Sequence, residues 1–187
     1  NQARDTIPEA ELAINRNGQF LAPKINHLAG MGGYCTANGA HIQTNNFARC
    51  FPAMYDIPKL AIETLCLFTN TVPTGPYRGA GRPEANYVIE RVVDEAARIT
   101  GIDGGELRRR NLIPPSAIPY NTAVGTTYDS GDFAPVLEKA LALSNYASFS
   151  ARRKEAKKRG KLRGIGISCF LEHSGGMPTE GAAITFN

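Results

Sequence analysis

One short stretch gathers the residues best able to hold a ligand: Thr74-Gly75-Pro76-Tyr77-Arg78-Gly79-Ala80-Gly81-Arg82-Pro83-Glu84. Gly79 and Gly81 carry no Cβ, so the backbone there can turn sharply and approach a bound group. Arg78 adds a permanent charge with five donors in a fork. Pro83 suits the first turn of a helix, where its missing N–H leaves nothing unsatisfied. A helix starting at Pro83 would turn its first amides and the positive end of its dipole toward the loop. That combination favours an anion or an electronegative oxygen. The plain counterpart is a tight strand-to-helix connection with a surface arginine, since glycine-rich loops alone are weak signals.

Other chemistries find less support. A dinucleotide fingerprint needs a third glycine where Glu84 stands, and an acidic residue closing a second strand. Zinc needs ligands at short spacing, whereas His27, His41 and His173 are scattered among Cys35, Cys50, Cys66 and Cys169. No metal site is expected. Cys35 and His41 are the one near pair for nucleophilic chemistry, with nothing obvious to orient the base. Glu172-His173 sets a carboxylate beside an imidazole before a glycine-rich loop, either as pocket groups or as exposed turn residues.

The surrounding pattern must position that loop. Residues 9–15 and 19–28 read as two strands joined around Asn17-Gly18, the strongest short hairpin signal. Gly30-Met31-Gly32-Gly33-Tyr34 reads as a flexible loop, and residues 45–50 as a short helix. Residues 59–69 form the next strand, which feeds the arginine loop. From Pro83 to Thr100, apolar Val88, Ile89, Val92, Val93, Ala96 and Ala97 recur at helical spacing. Gly101 ends that helix. Asp103 caps a second helix over 105–111, which Pro114-Pro115 stop. Residues 114–131 are a long loop with an extended piece at 126–128. A helix begins at Ser130 or Asp132 and runs to Leu143, and a basic helix covers 146–159. Residues 161–171 and 179–186 read as strands, the second ending without a partner, which suggests a fragment. Strands and helices mix without strict alternation. The expected class is α+β, a mixed β-sheet with helices packed on it.

Composition sets bounds. The 187 residues can bury a real core, and 42% hydrophobic with 20% charged residues is the balance of a globular protein. No apolar stretch reaches the length of a membrane span and no leader pattern opens the sequence, so a cytoplasmic location is expected, with free thiols. The net charge of +4 is uneven. Residues 151–163 set eight cations against Glu155, a local net of +7. The run lacks interleaved aromatics and a reader motif, so it reads as a solvated face rather than a nucleic-acid patch.

Phe68-Thr69-Asn70-Thr71 with Pro76-Tyr77-Arg78-Gly79-Ala80-Gly81-Arg82-Pro83-Glu84-Ala85 closely resembles the molybdopterin-binding large subunit of the molybdenum hydroxylases. That family includes xanthine dehydrogenase, aldehyde oxidase and the aerobic carbon-monoxide dehydrogenases. The likeness continues through Asn46-Phe47-Ala48-Arg49-Cys50, Tyr55-Asp56-Ile57-Pro58, Leu107-Arg108-Arg109-Arg110-Asn111-Leu112-Ile113 and Gly164-Ile165-Gly166-Ile167. It implies an internal fragment of a cofactor-binding region, with 1–145 as a first lobe and 146–187 as the start of the next. It also implies an oxidoreductase that takes oxygen from water at a molybdenum ion held by a pterin, in the cytosine dinucleotide form. Electrons would leave through iron–sulfur and FAD subunits or domains. Arg78, Gly79, Ala80 and Gly81 would bind the cofactor and Ala80 would line the pocket of a small organic substrate, with Glu172 and His173 as further pocket candidates from their own chemistry.

Two departures qualify the resemblance. Carbon-monoxide dehydrogenases carry a copper-binding cysteine directly after the arginine, where this chain has Gly79. The family's general-base glutamate is expected beyond Asn187, so no catalytic residue is expected within 1–187 and no tight cofactor binding or turnover by this stretch alone. The alternative is an anion-binding or structural module without catalysis.

Overall fold

The computed structural model describes residues 5–172 and 181–185. Strand β1, Thr6–Ile14, and strand β2, Phe20–Gly32, form the expected hairpin. They pair antiparallel from Thr6 with Ala29 to Ile14 with Phe20. The turn works as the Asn-Gly signal requires. Gly18 takes φ 80°, and Asn15 Oδ1 accepts from the amides of Asn17 and Gln19. Strand β3, Ala61–Phe68, then lies parallel to β2, with Lys24 opposite Ala61 and Leu28 opposite Leu65. The order β1-β2-β3 makes a mixed sheet.

The connection from β2 to β3 is helical over α1 (Gly39–His41), a π-turn (Ile42–Asn46) and α2 (Phe47–Cys50). It begins earlier than the sequence pattern suggested. After β3 come α3 (Arg82–Thr100) and α4 (Gly104–Asn111). Gly101 ends α3 in the left-handed region, and Asp103 Oδ1 caps α4 by accepting from Gly105 and Glu106 amides at 2.9 and 3.1 Å. A two-residue hairpin, β4 (Tyr120–Asn121) with β5 (Thr127–Tyr128), occupies the long loop. Helix α5 (Ala134–Leu143) starts later than Ser130 or Asp132, with Pro135 in its first turn. Helix α6 (Phe149–Lys158) carries the basic run, and its cations Arg153, Lys154, Lys157 and Lys158 are exposed. No helix among the described residues is long and apolar enough to cross a membrane.

One face of the sheet is covered. β1 alternates half-buried Pro8, Ala10, Leu12 and Ile14 with exposed Ile7, Glu9, Glu11 and Ala13. The covered face meets Val88, Ile89, Val93 and Ala96 of α3 and the aromatic cluster Phe20, Phe47, Phe51 and Tyr55. Asn111 ties α4 to the hairpin: its Oδ1 accepts from Phe20 N at 2.7 Å and its Nδ2 donates to Gly18 O at 2.8 Å.

Three expected elements are corrected. Gly30, Met31 and Gly32 belong to β2 and are no flexible loop. They are glycine-rich because other groups come close there: a Cβ on Gly30 would stand 2.1 Å from the Asp5 carboxylate, and one on Gly32 2.4 Å from Pro73 Cα. Residues 161–171 form no strand. Their backbone is held by helix side chains instead of a neighbouring strand. Arg108 Nη2 donates to Ile167 O at 3.0 Å, Cys169 N donates to Glu90 Oε2 at 2.9 Å, and Leu171 N donates to Asn86 Oδ1 at 3.2 Å. Residues 181–185 form no strand either; 179, 180 and 186, and the loop 173–178, lie outside the described residues.

The clamp on that segment rests on a buried charge pair. Arg108 and Glu90 are 0% and 4% exposed, and Arg108 Nη2 lies 2.8 Å from Glu90 Oε2. Tyr55 donates its hydroxyl to the same carboxylate. Burial first, then the Glu90 charge, pushes the Tyr55 hydroxyl far above its ordinary range. Burial is the largest single influence on the guanidinium and works against its charge, but Glu90, Tyr55 and Asp94 together outweigh it and leave Arg108 charged.

Candidate functional site

The arginine loop leaves β3 and is stitched to the end of β2. Thr69 N donates to Gly32 O at 3.0 Å, Gly33 N to Thr71 O at 3.0 Å, and Thr74 N to Met31 O at 3.1 Å. The buried Thr74 hydroxyl donates to Gly30 O at 2.7 Å, and Thr36 Oγ1 donates to Thr74 O at 2.7 Å. The chain therefore arrives at Arg78 from a fixed platform.

The turn itself holds three successive residues at positive φ: Gly79 at 90°, Ala80 at 45° and Gly81 at 93°. Ala80 is the notable member, because a side chain in this region is uncommon and must be held by its surroundings. It is held twice. Its amide donates to Tyr77 O at 2.7 Å, and its carbonyl accepts from Asn46 Nδ2 at 2.9 Å. Gly81 is buried against the π-turn, so that a Cβ there would stand 2.1 Å from Ile42 O. Arg82 Nη1 donates to Gly79 O at 3.3 Å. Arg78 is exposed.

The helix N-terminus contributes less than the sequence implied. Gly81 is the N-cap and Pro83 is the second residue of α3, so it does not open the helix. The Arg82 amide is taken by Gly79 O at 3.2 Å, Ala85 N by Gly81 O at 3.2 Å, and Pro83 has no amide. Glu84 sits in the same first turn, a favourable place for a carboxylate. A ligand here would meet the curved backbone of residues 78–81, which opens on the exposed Arg78. Such a surface suits an anionic, oxygen-rich group.

A cleft of about 590 Å³ opens next to the turn. Its walls include Asn46, Arg49, Cys50, Arg82, Phe133, Leu171 and Glu172, with the stretch from Gly125 to Ser130 that contains β5. Asn46 and Arg82 serve both features: each lines the cleft and each holds a carbonyl of the turn. Glu172 lines the cleft, and its Oε1 lies 3.2 Å from Arg82 Nε. Ala80, also expected at the pocket, is absent from the lining and acts through its carbonyl. His173 lies outside the described residues. Asn46, Arg49 and Arg82 were missed as site residues, although all three stand in the stretches quoted for the resemblance. Their types alone gave no signal, because only the fold brings the π-turn against the loop.

Cys35 Sγ donates to Thr36 O, and the His41 ring meets Asn45 at 3.2 Å, so this pair assembles no nucleophile and base. Among the described residues, no group of three or more His, Cys, Asp and Glu side chains could hold a metal. His27 is buried against the Phe47 ring, 4.0 Å between centroids, and neither ring nitrogen has a hydrogen-bond partner among the described residues. Burial lowers its pKa from 6.5 to about 4.

Comparison with known proteins places the chain in a family. A family model described as a molybdopterin cofactor-binding domain matches residues 1–112. The chain is similar to the carbon monoxide dehydrogenase large chain of Hydrogenophaga pseudoflava, 34% identical over 184 residues, covering 95% of this chain and 23% of that one. It is similar to the nicotine 6-hydroxylase large subunit of Paenarthrobacter nicotinovorans, 29% identical over 185 residues, covering 94% and 21%. Its fold superposes on quinoline 2-oxidoreductase from Pseudomonas putida 86 with a TM-score of 0.77 and 28% identity, covering 84% and 20%. The chain thus spans between about a fifth and a quarter of the length of these relatives.

Proposed function

Because the chain belongs to the molybdopterin cofactor-binding domain family, we propose that it supplies one wall of the cofactor and substrate site of a molybdenum hydroxylase. The observation that carries this reading is the turn Gly79–Gly81, three residues at positive φ locked from both sides by Asn46 and Arg82. A side-chain position held in a sparsely populated conformation points to a backbone shaped for a ligand. When bound, the cofactor supplies two-electron oxidation with oxygen taken from water. This chain's residues do the positioning. Arg78 offers a charged fork to the cofactor's anionic and oxygen groups. Gly79 and Gly81 let the backbone come close, Asn46 keeps the Ala80 carbonyl out of the way, and Arg82 fixes the Gly79 carbonyl.

In this reading the cofactor is the cytosine dinucleotide form, electrons leave through iron–sulfur and FAD subunits or domains, and the enzyme works in the cytoplasm. Residues 146–187 begin the second lobe. The substrate is a small organic molecule. Gly79 presents no thiolate, and a soft ligand is what copper(I) requires. Two relatives whose names specify nicotine and quinoline support organic substrates.

The test is to assay the whole enzyme that contains this chain, with an artificial electron acceptor, against carbon monoxide and a panel of aldehydes and nitrogen heterocycles. The account expects turnover with an organic substrate and none of note with carbon monoxide. Robust carbon monoxide oxidation with copper bound would overturn the substrate reading. Replacement of the pterin nucleotide by a form other than cytosine, read by mass spectrometry of released cofactor, would correct the cofactor.

A further inference from the structure

Among the described residues, the cleft contains one cation whose charge is not answered. Asn46 and Arg49 stand three residues apart on the helical stretch that ends in α2, and both line the cleft. Arg82, the other arginine there, is committed to Glu172 at 3.2 Å and to Gly79 O at 3.3 Å. Arg49 is exposed and makes no ion pair or hydrogen bond with a described residue, whereas Arg108, Arg109 and Arg110 each pair with a carboxylate. The same cleft offers ring-sized apolar surface from Cys50, Tyr128, Phe133 and Leu171. Tyr128 is held in place by its hydroxyl, which donates to Ala53 O at 2.8 Å. At about 590 Å³ the cleft lies within the usual range of small-molecule sites, roughly 300–1,000 Å³.

The charge inventory narrows the ligand. Besides the two arginines, Asp129 and Glu172 line the cleft. Glu172 is answered by Arg82, and Asp129 Oδ1 accepts only the Ser130 hydroxyl at 3.0 Å among its hydrogen bonds to described residues. One guanidinium is therefore available to an anion, and a carboxylate nearby opposes a second negative charge. A planar fork of N–H donors matches a carboxylate in two parallel bonds.

We propose that this cleft takes a planar aromatic or heteroaromatic monocarboxylate, with the carboxylate on Arg49 and the ring against Tyr128, Phe133 and Leu171. That this ligand is the substrate rests on the molybdenum-hydroxylase reading; that it binds does not, because the contacts come from this chain's own side chains. Arg49 is then a specificity residue, selecting acids over their neutral amides.

The experiment is calorimetric titration of the whole enzyme with benzoate and with benzamide, which share a ring and differ in charge. Benzoate should bind at least about tenfold tighter than benzamide. Arg49→Met should lose roughly ten- to hundredfold for benzoate, the range of a charge-assisted hydrogen bond, and leave benzamide within about twofold. Arg49→Lys should retain an intermediate affinity, keeping charge without the fork. No benzoate binding, equal binding of the two probes, or an Arg49→Met variant that binds benzoate as the parent does would each overturn the proposal. Molybdenum content of the same samples separates the two readings. Charge-selective binding without molybdenum keeps the cleft and sinks the cofactor; molybdenum without selectivity does the reverse.

Discussion

Replacing Gly81 by alanine tests the turn at its tightest point. The residue sits at φ 93° and ψ −22°, and an added Cβ would fall 2.1 Å from Ile42 O, a backbone atom of the π-turn. Two penalties follow. Placing an L side chain in the left-handed region costs about 1–2 kcal/mol. Moving a packed carbonyl back by roughly 1 Å adds the price of overpacking, about 1–3 kcal/mol. The sum is on the order of 3 kcal/mol, a fall in Tm of roughly 6–12 °C for a chain of this size. Gly160 is the control: it has φ 68° with nothing within 4 Å of an added Cβ, so Gly160→Ala should lose only about 1 kcal/mol. Urea unfolding of both variants of the 187-residue chain gives the comparison. Equal destabilisation of the two would refute the claim that the turn is pressed against Ile42.

Three further outcomes are expected. His27 is neutral in the fold, with its pKa lowered to about 4 against 6.5 unfolded, so the unfolded chain binds the extra proton between those values. Stability is full above about pH 6.5 and falls as pH drops toward 4, by on the order of 3 kcal/mol; His27→Leu should remove that slope in urea melts at pH 4.5 and 7. Arg108→Ala leaves the Glu90 carboxylate buried without its cation, a loss of about 3–5 kcal/mol. Adding Glu90→Gln should recover part of it, and strict additivity in the double-mutant cycle would contradict the pairing. Asn46→Ala releases the Ala80 carbonyl, so it should weaken the chain by about 1 kcal/mol, and amide exchange should rise at residues 79–82, where a merely distant packing effect would not concentrate.

Local signals were legible where a single residue type decides the geometry. Asn17-Gly18 announced the hairpin, Asp103 the cap of α4, and Gly101 the end of α3. The loop around Arg78 was legible as strand, turn and helix. The misreadings arose where the cause lies far along the chain. Gly30 and Gly32 look like loop residues until Asp5 and Pro73 are seen pressed against them. Residues 161–171 have the composition of a strand, yet the partners that satisfy their backbone are Asn86, Glu90 and Arg108, side chains some 59 to 85 positions away. The amide cradle at α3 failed for a local reason: Gly79 O and Gly81 O take the amides first. The cleft was illegible because its walls come from four separated stretches, and Arg49 carries no mark in the sequence to distinguish it from a solvated arginine.

The central claim is that the turn beside Arg78 holds the molybdenum cofactor. Arg78 is exposed and fills no core space, so Arg78→Ala should leave the melting of the 187-residue chain within about 0.5 kcal/mol of the parent. The decisive measurement is molybdenum per enzyme, by elemental analysis of the whole enzyme purified with and without that substitution. The account predicts about one equivalent in the parent and a several-fold loss in the variant. Full molybdenum in Arg78→Ala with unchanged turnover, or none in the parent, would contradict it.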